Sequence, residues 1–121
     1  MKTNYTQIKT FDDACRAVGT TETAFNEKFQ PLGLDADTLA YEKLKVIARA
    51  INGNWKPDFE NWSQEKWFPI FALSAGLRDR NSDSGLGYAY SSVGSRLCFE
   101  SEEKSNYAAS QFKSIWEQFL L

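Results

Sequence analysis

The chain has 121 residues, of which 42% are hydrophobic and 25% charged, with a formal net charge of −2 and a pI near 5.2. No apolar run approaches the roughly 18 residues of a membrane-spanning helix, the acidic balance disfavours broad capture of nucleic acid, and the absence of histidine removes the commonest general base and metal ligand. We therefore expect a single domain over residues 1–121 that is not an enzyme and holds no cofactor or metal.

Two short helices are predicted near the N-terminus. Thr10 and the carboxylates after it suit the positive end of a helix dipole, apolar residues then recur at helical spacing, and Gly19 suits the C-terminal position. A second helix starts at Thr20 or Thr21 and stops before Pro31, because proline cannot continue a helix.

The third predicted helix has the clearest pattern. It starts at Asp35 or Asp37 and ends at Gly53. Its core face carries Ala40, Leu44, Ile47 and Ile51, and the opposite face carries Glu42, Lys45, Arg49 and Asn52. The segment that follows has no clean period, and its proline and asparagines predict an irregular connection. This connection brings Trp55 and Trp62 close together in sequence.

The second half of the chain predicts a small antiparallel sheet. Residues 66–73 are aromatic and bounded by breakers, which favours a strand, and Pro69 places that strand at an edge or a bulge. A long polar loop over residues 74–87 leads into a second strand at residues 86–92, and a tight glycine turn leads into a third at residues 95–99.

A final helix is predicted to close the core. Ser101 suits its N-cap, and its apolar stripe contains Ala108, Phe112, Ile115 and Phe119. The predicted class is therefore α+β, with N-terminal helices, a three-stranded antiparallel sheet and a C-terminal helix packed on that sheet.

Alternation along the third strand indicates a candidate binding face. It places Arg96, Cys98 and Glu100 together, on the face opposite the residues expected to pack under the final helix. If Tyr88 or Tyr90 lies beside Arg96, a guanidinium and phenol rings converge in a geometry that suits an anion, a nucleotide or a peptide carboxylate. The alternative is a solvated arginine that covers a ring or pairs with Glu100.

Other basic and aromatic residues extend this candidate surface. At least one of the neighbouring tryptophans is expected to be partly exposed, and indoles beside loop arginines suit a protein partner or unstacked bases. The alternatives are a satellite hydrophobic cluster and arginines that only keep a loop soluble. The candidate binding residues are Arg96, Tyr88, Tyr90, Arg78, Arg80, Trp55 and Trp62.

Cys15 and Cys98 lie far apart in the chain and form no C-x-x-C pair. A zinc site or a disulfide framework is therefore not expected, and we predict two free thiols that are buried or half-buried.

Three segments of the chain resemble a known group of proteins. They are residues 52–58, residues 90–99 with the run S-S-V-G-S-R-L-C-F, and residues 107–112 together with 116–119. These segments are similar to small proteins encoded by Bacteroidetes and their phages and mobile elements. The resemblance implies a small cytoplasmic product of a phage or mobile element, and it implies no catalytic residue.

The leading expectation is a non-enzymatic accessory binding protein of phage or mobile-element origin. It would act on a host or phage protein, or on a small anionic ligand, through the aromatic and arginine surface, either in the host cytoplasm or in the virion. The alternative is a virion component, a capsid or tail accessory. A weaker alternative is a single-stranded nucleic-acid binding module, which the acidic balance disfavours.

Overall fold

A computed structural model describes residues 4–71, 83–87 and 96–121 of the chain. Five α-helices, two short 3-10 helices and two β-strands form within these ranges. The predicted glycine turn before the third strand lies outside them. Within the described ranges no helix has both the length and the apolar character that crossing a membrane requires.

The first two helices begin where local capping predicted. Helix α1, Phe11–Ala17, has a capping box in which Thr10 Oγ1 accepts from the Asp13 amide at 3.0 Å, and Asp13 accepts from the Thr10 amide at 3.1 Å. Helix α2, Glu22–Phe29, is capped by Thr21, whose hydroxyl accepts from Ala24 N at 3.1 Å. Both helix starts were therefore predicted correctly.

Helix α3, Ala36–Asn52, is the central element of the fold. Its predicted apolar stripe is confirmed, since Ala40, Leu44, Ile47 and Ile51 are all buried. The helix ends at Gly53, which has a φ of 63°, a value that glycine adopts without the steric penalty of other residues. Helix α3 packs against α1 on one side and against the C-terminal helices on another.

The predicted three-stranded antiparallel sheet, and with it the α+β class, is wrong. The described residues are mostly helical, and their β-structure is one short ladder in which β1, Lys66–Ile70, pairs antiparallel with β2, Asp83–Gly87. Strand β2 begins inside the segment predicted as a polar loop. Backbone pairing with β1 therefore outweighs the low strand propensity of the sequence Asp-Ser-Gly-Leu-Gly.

The third predicted strand is reduced to one bridge. Phe99 exchanges two backbone hydrogen bonds with Trp67, at 3.0 and 2.6 Å, but the described residues before it, 96–98, form no ladder. Leu97 and Phe99 join the hydrophobic core whereas Arg96 and Glu100 are exposed, as the predicted alternation requires, although Cys98 is buried as well. On the side facing away from Trp67, the side chain of Asn52 takes the Cys98 carbonyl and the Glu100 amide, so these two backbone groups are not available to another strand.

The final helix is divided in two. Helix α4, Glu102–Gln111, starts at the predicted cap Ser101, and helix α5, Lys113–Leu120, follows a break at Phe112. Trp116 Nε1 donates to the Ala108 carbonyl at 3.2 Å across this break. Helix α4 contacts the two strands, whereas α5 packs against α3, so the predicted helix does not pack on a sheet along its whole length.

One hydrophobic cluster joins these elements. Residues from α1, α2, α3, α4 and α5 contribute to it, together with Leu97 and Phe99. Lys66 is also buried, and its ammonium donates to the carbonyls of Asn61 and Gln64 at 3.1 and 3.3 Å. These bonds attach the irregular connection to the start of β1.

Candidate functional site

A cleft of about 830 Å³ lies where the C-terminal end of α3 meets the segments after it. The end of α1, residues 53–59 and residues from 96 to 104 also contribute to its walls. We call this the basic cleft, because its described lining contains five cationic side chains and one carboxylate: Lys45, Arg49, Lys56, Arg96, Lys104 and Glu100.

Asn52 organises the basic cleft. This residue is only 6% exposed, and its side-chain nitrogen donates to the Cys98 carbonyl at 3.0 Å. Its side-chain oxygen accepts from the Glu100 amide at 3.0 Å. One amide side chain thus joins the end of α3 to a segment more than forty residues later, and it uses both donor and acceptor.

The backbone carbonyl of Asn52 joins two further walls of the cleft. It accepts from the Trp55 amide at 3.2 Å and from the Lys104 ammonium at 3.4 Å. The aromatic segment and the lysine of α4 therefore converge on a single oxygen atom. Because this oxygen belongs to the last residue of α3, the helix end holds both groups in place.

The charges of the cleft are only partly neutralised within the described residues. Lys104 pairs with Glu100 at 2.7 Å, and Lys45 pairs with Glu42 at 3.0 Å. Lys104 lies in the first turn of α4, the end of a helix dipole that disfavours a positive charge. A cation at this position is therefore not explained by the stability of the helix alone.

The structure brings together two of the predicted binding residues. Trp55 and Arg96 both line the basic cleft, although their sequence positions are far apart. Trp62 does not line it and is 68% exposed. The other four predicted residues, Tyr88, Tyr90, Arg78 and Arg80, lie outside the described residues.

Sequence reasoning missed most of the cationic lining. Lys45, Arg49 and Asn52 were predicted on the face of α3 opposite the core. Arg49 is exposed and Lys45 half-buried, but Asn52 is buried because its side chain bonds to backbone groups of a later segment. The sequence feature that could have indicated Lys45 and Arg49 as cleft residues is their position near the C-terminal end of α3. The residues that follow Gly53 line the same cleft. The contribution of Lys104 had no sequence signal, because it depends on how α4 packs.

Both cysteines are free and buried, which confirms the prediction of two free thiols. Burial raises the pKa of the Cys98 thiol to about 11, and burial also raises the pKa of Cys15. Both thiols are therefore protonated near neutral pH, and neither is activated as a nucleophile. In the described part of the chain, histidine, cysteine and carboxylate side chains form no group of three that could hold a metal ion.

Comparisons with known proteins found no relative of this chain. No family model matches the sequence, and neither the curated proteins nor the solved structures contain a match.

Proposed function

We propose that this chain is a non-enzymatic accessory binding protein that holds an anionic ligand in the basic cleft. The observation that carries the proposal is the charge of the cleft. Its described lining has five cations and one carboxylate, whereas the whole chain has a net charge of −2. A basic cleft in an acidic protein attracts small anions locally while the surrounding surface repels long polyanions.

The positions of the cations support a binding role over a purely structural one. Arg49 lies in the last turn of α3, where it also complements the helix dipole, so it is weak evidence by itself. Lys56 and Arg96 belong to different segments and are exposed. Their convergence on one cleft gives an anion several donors, one of them the planar fork of an arginine.

The chemistry of the chain supports binding without catalysis. The sequence has no histidine, and both thiols are protonated near neutral pH. Glu100, the one carboxylate in the described lining, is already hydrogen-bonded to Lys104. General base or nucleophilic catalysis has no prepared group among these residues.

The segments that carry the family resemblance support an origin in a phage or mobile element. Residues 52–58 contain Asn52 and Trp55, and residues 90–99 contain Arg96 and Cys98. Asn52 joins these two segments through its hydrogen bond to Cys98. The resemblance therefore concerns the residues that build the basic cleft, and an accessory role in such an element is part of the proposal.

A pair of charge-reversal variants tests the proposal. Lys56→Glu places an anion in the cleft, whereas Lys28→Glu makes the same change on the exposed side of α2, away from it. Pyrophosphate, ribose 5-phosphate and nucleoside monophosphates are titrated by calorimetry into wild type and both variants. A ligand at about a hundred times its dissociation constant also stabilises the fold by roughly 2.7 kcal/mol, which a thermal scan detects.

We expect wild type and Lys28→Glu to bind at least one of these anions with similar affinity. Lys56→Glu should bind it about tenfold more weakly, because the charge reversal replaces an attraction by a repulsion at close range. Added salt should weaken binding to wild type. The proposal is wrong if none of the anions binds wild type, or if both variants bind as wild type does.

A further inference from the structure

One wall of the basic cleft is aromatic. Trp55, Pro57 and Phe59 all line it, and these three residues are half-buried. The residues between them, Lys56 and Asp58, are exposed. Lys56 lines the cleft as well, so this short segment supplies both apolar surface and a cation to the cleft.

The aromatic wall lies next to the cations. Trp55 donates its backbone amide to the same Asn52 carbonyl oxygen that accepts from the Lys104 ammonium, at 3.2 and 3.4 Å respectively. Arg96 lines the same cleft as these residues. The cleft therefore offers a ligand an indole together with cationic side chains.

We propose that the anion held in the basic cleft is a mononucleotide whose base stacks on Trp55 and whose phosphate binds Arg96 and Lys104. This inference rests on the proposed function and adds the class of ligand. Every nucleobase has a flat π-face that stacks on an aromatic side chain, and guanidinium and ammonium groups are the usual partners of phosphate. We assign stacking to Trp55 because the Phe59 ring already has the Lys66 ammonium 5.9 Å from its centroid.

The volume of the cleft and the net charge of the protein favour a free nucleotide over a nucleic acid. The cleft volume of about 830 Å³ lies within the range of small-molecule sites, which is roughly 300 to 1,000 Å³. A net charge of −2 opposes the long phosphate backbone of a polynucleotide, whereas a single phosphate meets only the local charge of the cleft.

The test compares ligands that share the phosphate and differ in the base. The four ribonucleoside 5′-monophosphates, ribose 5-phosphate and a single-stranded oligonucleotide are titrated into wild type, Trp55→Leu and Trp62→Leu. Trp62→Leu is the matched control, because Trp62 is 68% exposed and lies outside the cleft. Trp55→Phe is the second variant, which keeps an aromatic face if loss of the ring impairs folding.

We expect at least one nucleotide to bind wild type and Trp62→Leu about tenfold more tightly than ribose 5-phosphate does, the size of one stacking contact. Trp55→Leu should remove this difference while ribose 5-phosphate still binds, and Trp55→Phe should retain most of it.

Two results would overturn the inference that the ligand is a nucleotide stacked on Trp55, while leaving the anion-binding function intact. One is equal affinity for nucleotides and ribose 5-phosphate, and the other is a base preference that survives in folded Trp55→Leu. Tighter binding of the oligonucleotide than of every mononucleotide would also overturn it, in favour of single-stranded nucleic acid. If no anion binds wild type, both proposals fail together.

Discussion

Replacing Asn52 by alanine should destabilise the protein strongly, although the residue belongs to no catalytic or hydrophobic motif. The change removes two hydrogen bonds of 3.0 Å that join the end of α3 to Cys98 and Glu100. Each bond contributes about 1 kcal/mol net. The Cys98 residue is only 2% exposed, so its carbonyl loses a partner where water has little access, at a further cost of about 1 to 3 kcal/mol.

Loss of the acceptor for the Glu100 amide costs less free energy, because Glu100 is exposed and water can replace that acceptor. We therefore expect Asn52→Ala to lower the free energy of unfolding by about 2 to 4 kcal/mol, a large part of the roughly 5 to 15 kcal/mol of an ordinary domain. In urea denaturation the midpoint should fall by roughly 1 to 2 M with little change in slope. Asn54→Ala, an exposed asparagine two residues later, is the control.

Asn52→Asp separates hydrogen bonding from packing, because it keeps the shape of the side chain. Its carboxylate can still accept from the Glu100 amide, but it places an acceptor against the Cys98 carbonyl instead of a donor. This variant should be destabilised near neutral pH and should recover in part when acid protonates the new carboxyl. The central role of Asn52 would be refuted if Asn52→Ala lowered the free energy of unfolding no more than Asn54→Ala does. At an ordinary surface site such a loss is within about 0.5 kcal/mol.

Three further predictions concern other polar groups. Ser105→Ala should leave stability unchanged or raise it by up to about 1 kcal/mol in urea denaturation, because the Ser105 hydroxyl is fully buried and has no hydrogen-bond partner among the described residues; a clear loss would contradict this. Backbone hydrogen bonds lower the pKa of Asp13 below its ordinary value of 3.8, so its stabilising effect is complete above that pH and is lost as the pH falls through the lowered pKa. The stability difference between wild type and Asp13→Asn should therefore shrink in acid, and a constant difference across this range would refute the assignment. Glu100→Gln should tighten anion binding in calorimetry, because Lys104 loses the carboxylate that it contacts at 2.7 Å; unchanged affinity would exclude Lys104 as a ligand contact.

Local chemistry alone predicted where four of the described α-helices begin. The starts at Thr10, Thr21 and Ser101 follow from side-chain caps within three residues, and the end of α3 follows from a glycine with positive φ at Gly53. The apolar stripe of α3 could also be predicted from the local sequence, because the helical period of 3.6 residues determines which side chains share a face. These features were predicted correctly since they depend on neighbours in sequence.

Tertiary contacts decided the remainder of the fold. The segment after Arg96 has apolar residues that suit a strand, yet Asn52, more than forty residues earlier, takes the backbone groups of Cys98 and Glu100. The division of the last helix at Phe112 likewise follows from packing, since both Phe112 and Trp116 are buried. Neither outcome can be read from a local pattern.

The candidate site shows the same division. Trp55 and Arg96 were identified by residue type, because indole and guanidinium are common in binding surfaces. That they share one cleft with Lys104 depends on hydrogen bonds to the last residue of α3, which only the folded chain forms. The sequence by itself thus determined most helix starts and two residues of the cleft, while long-range hydrogen bonds and packing decided the strand pairing, the break in the last helix and the charge of the cleft.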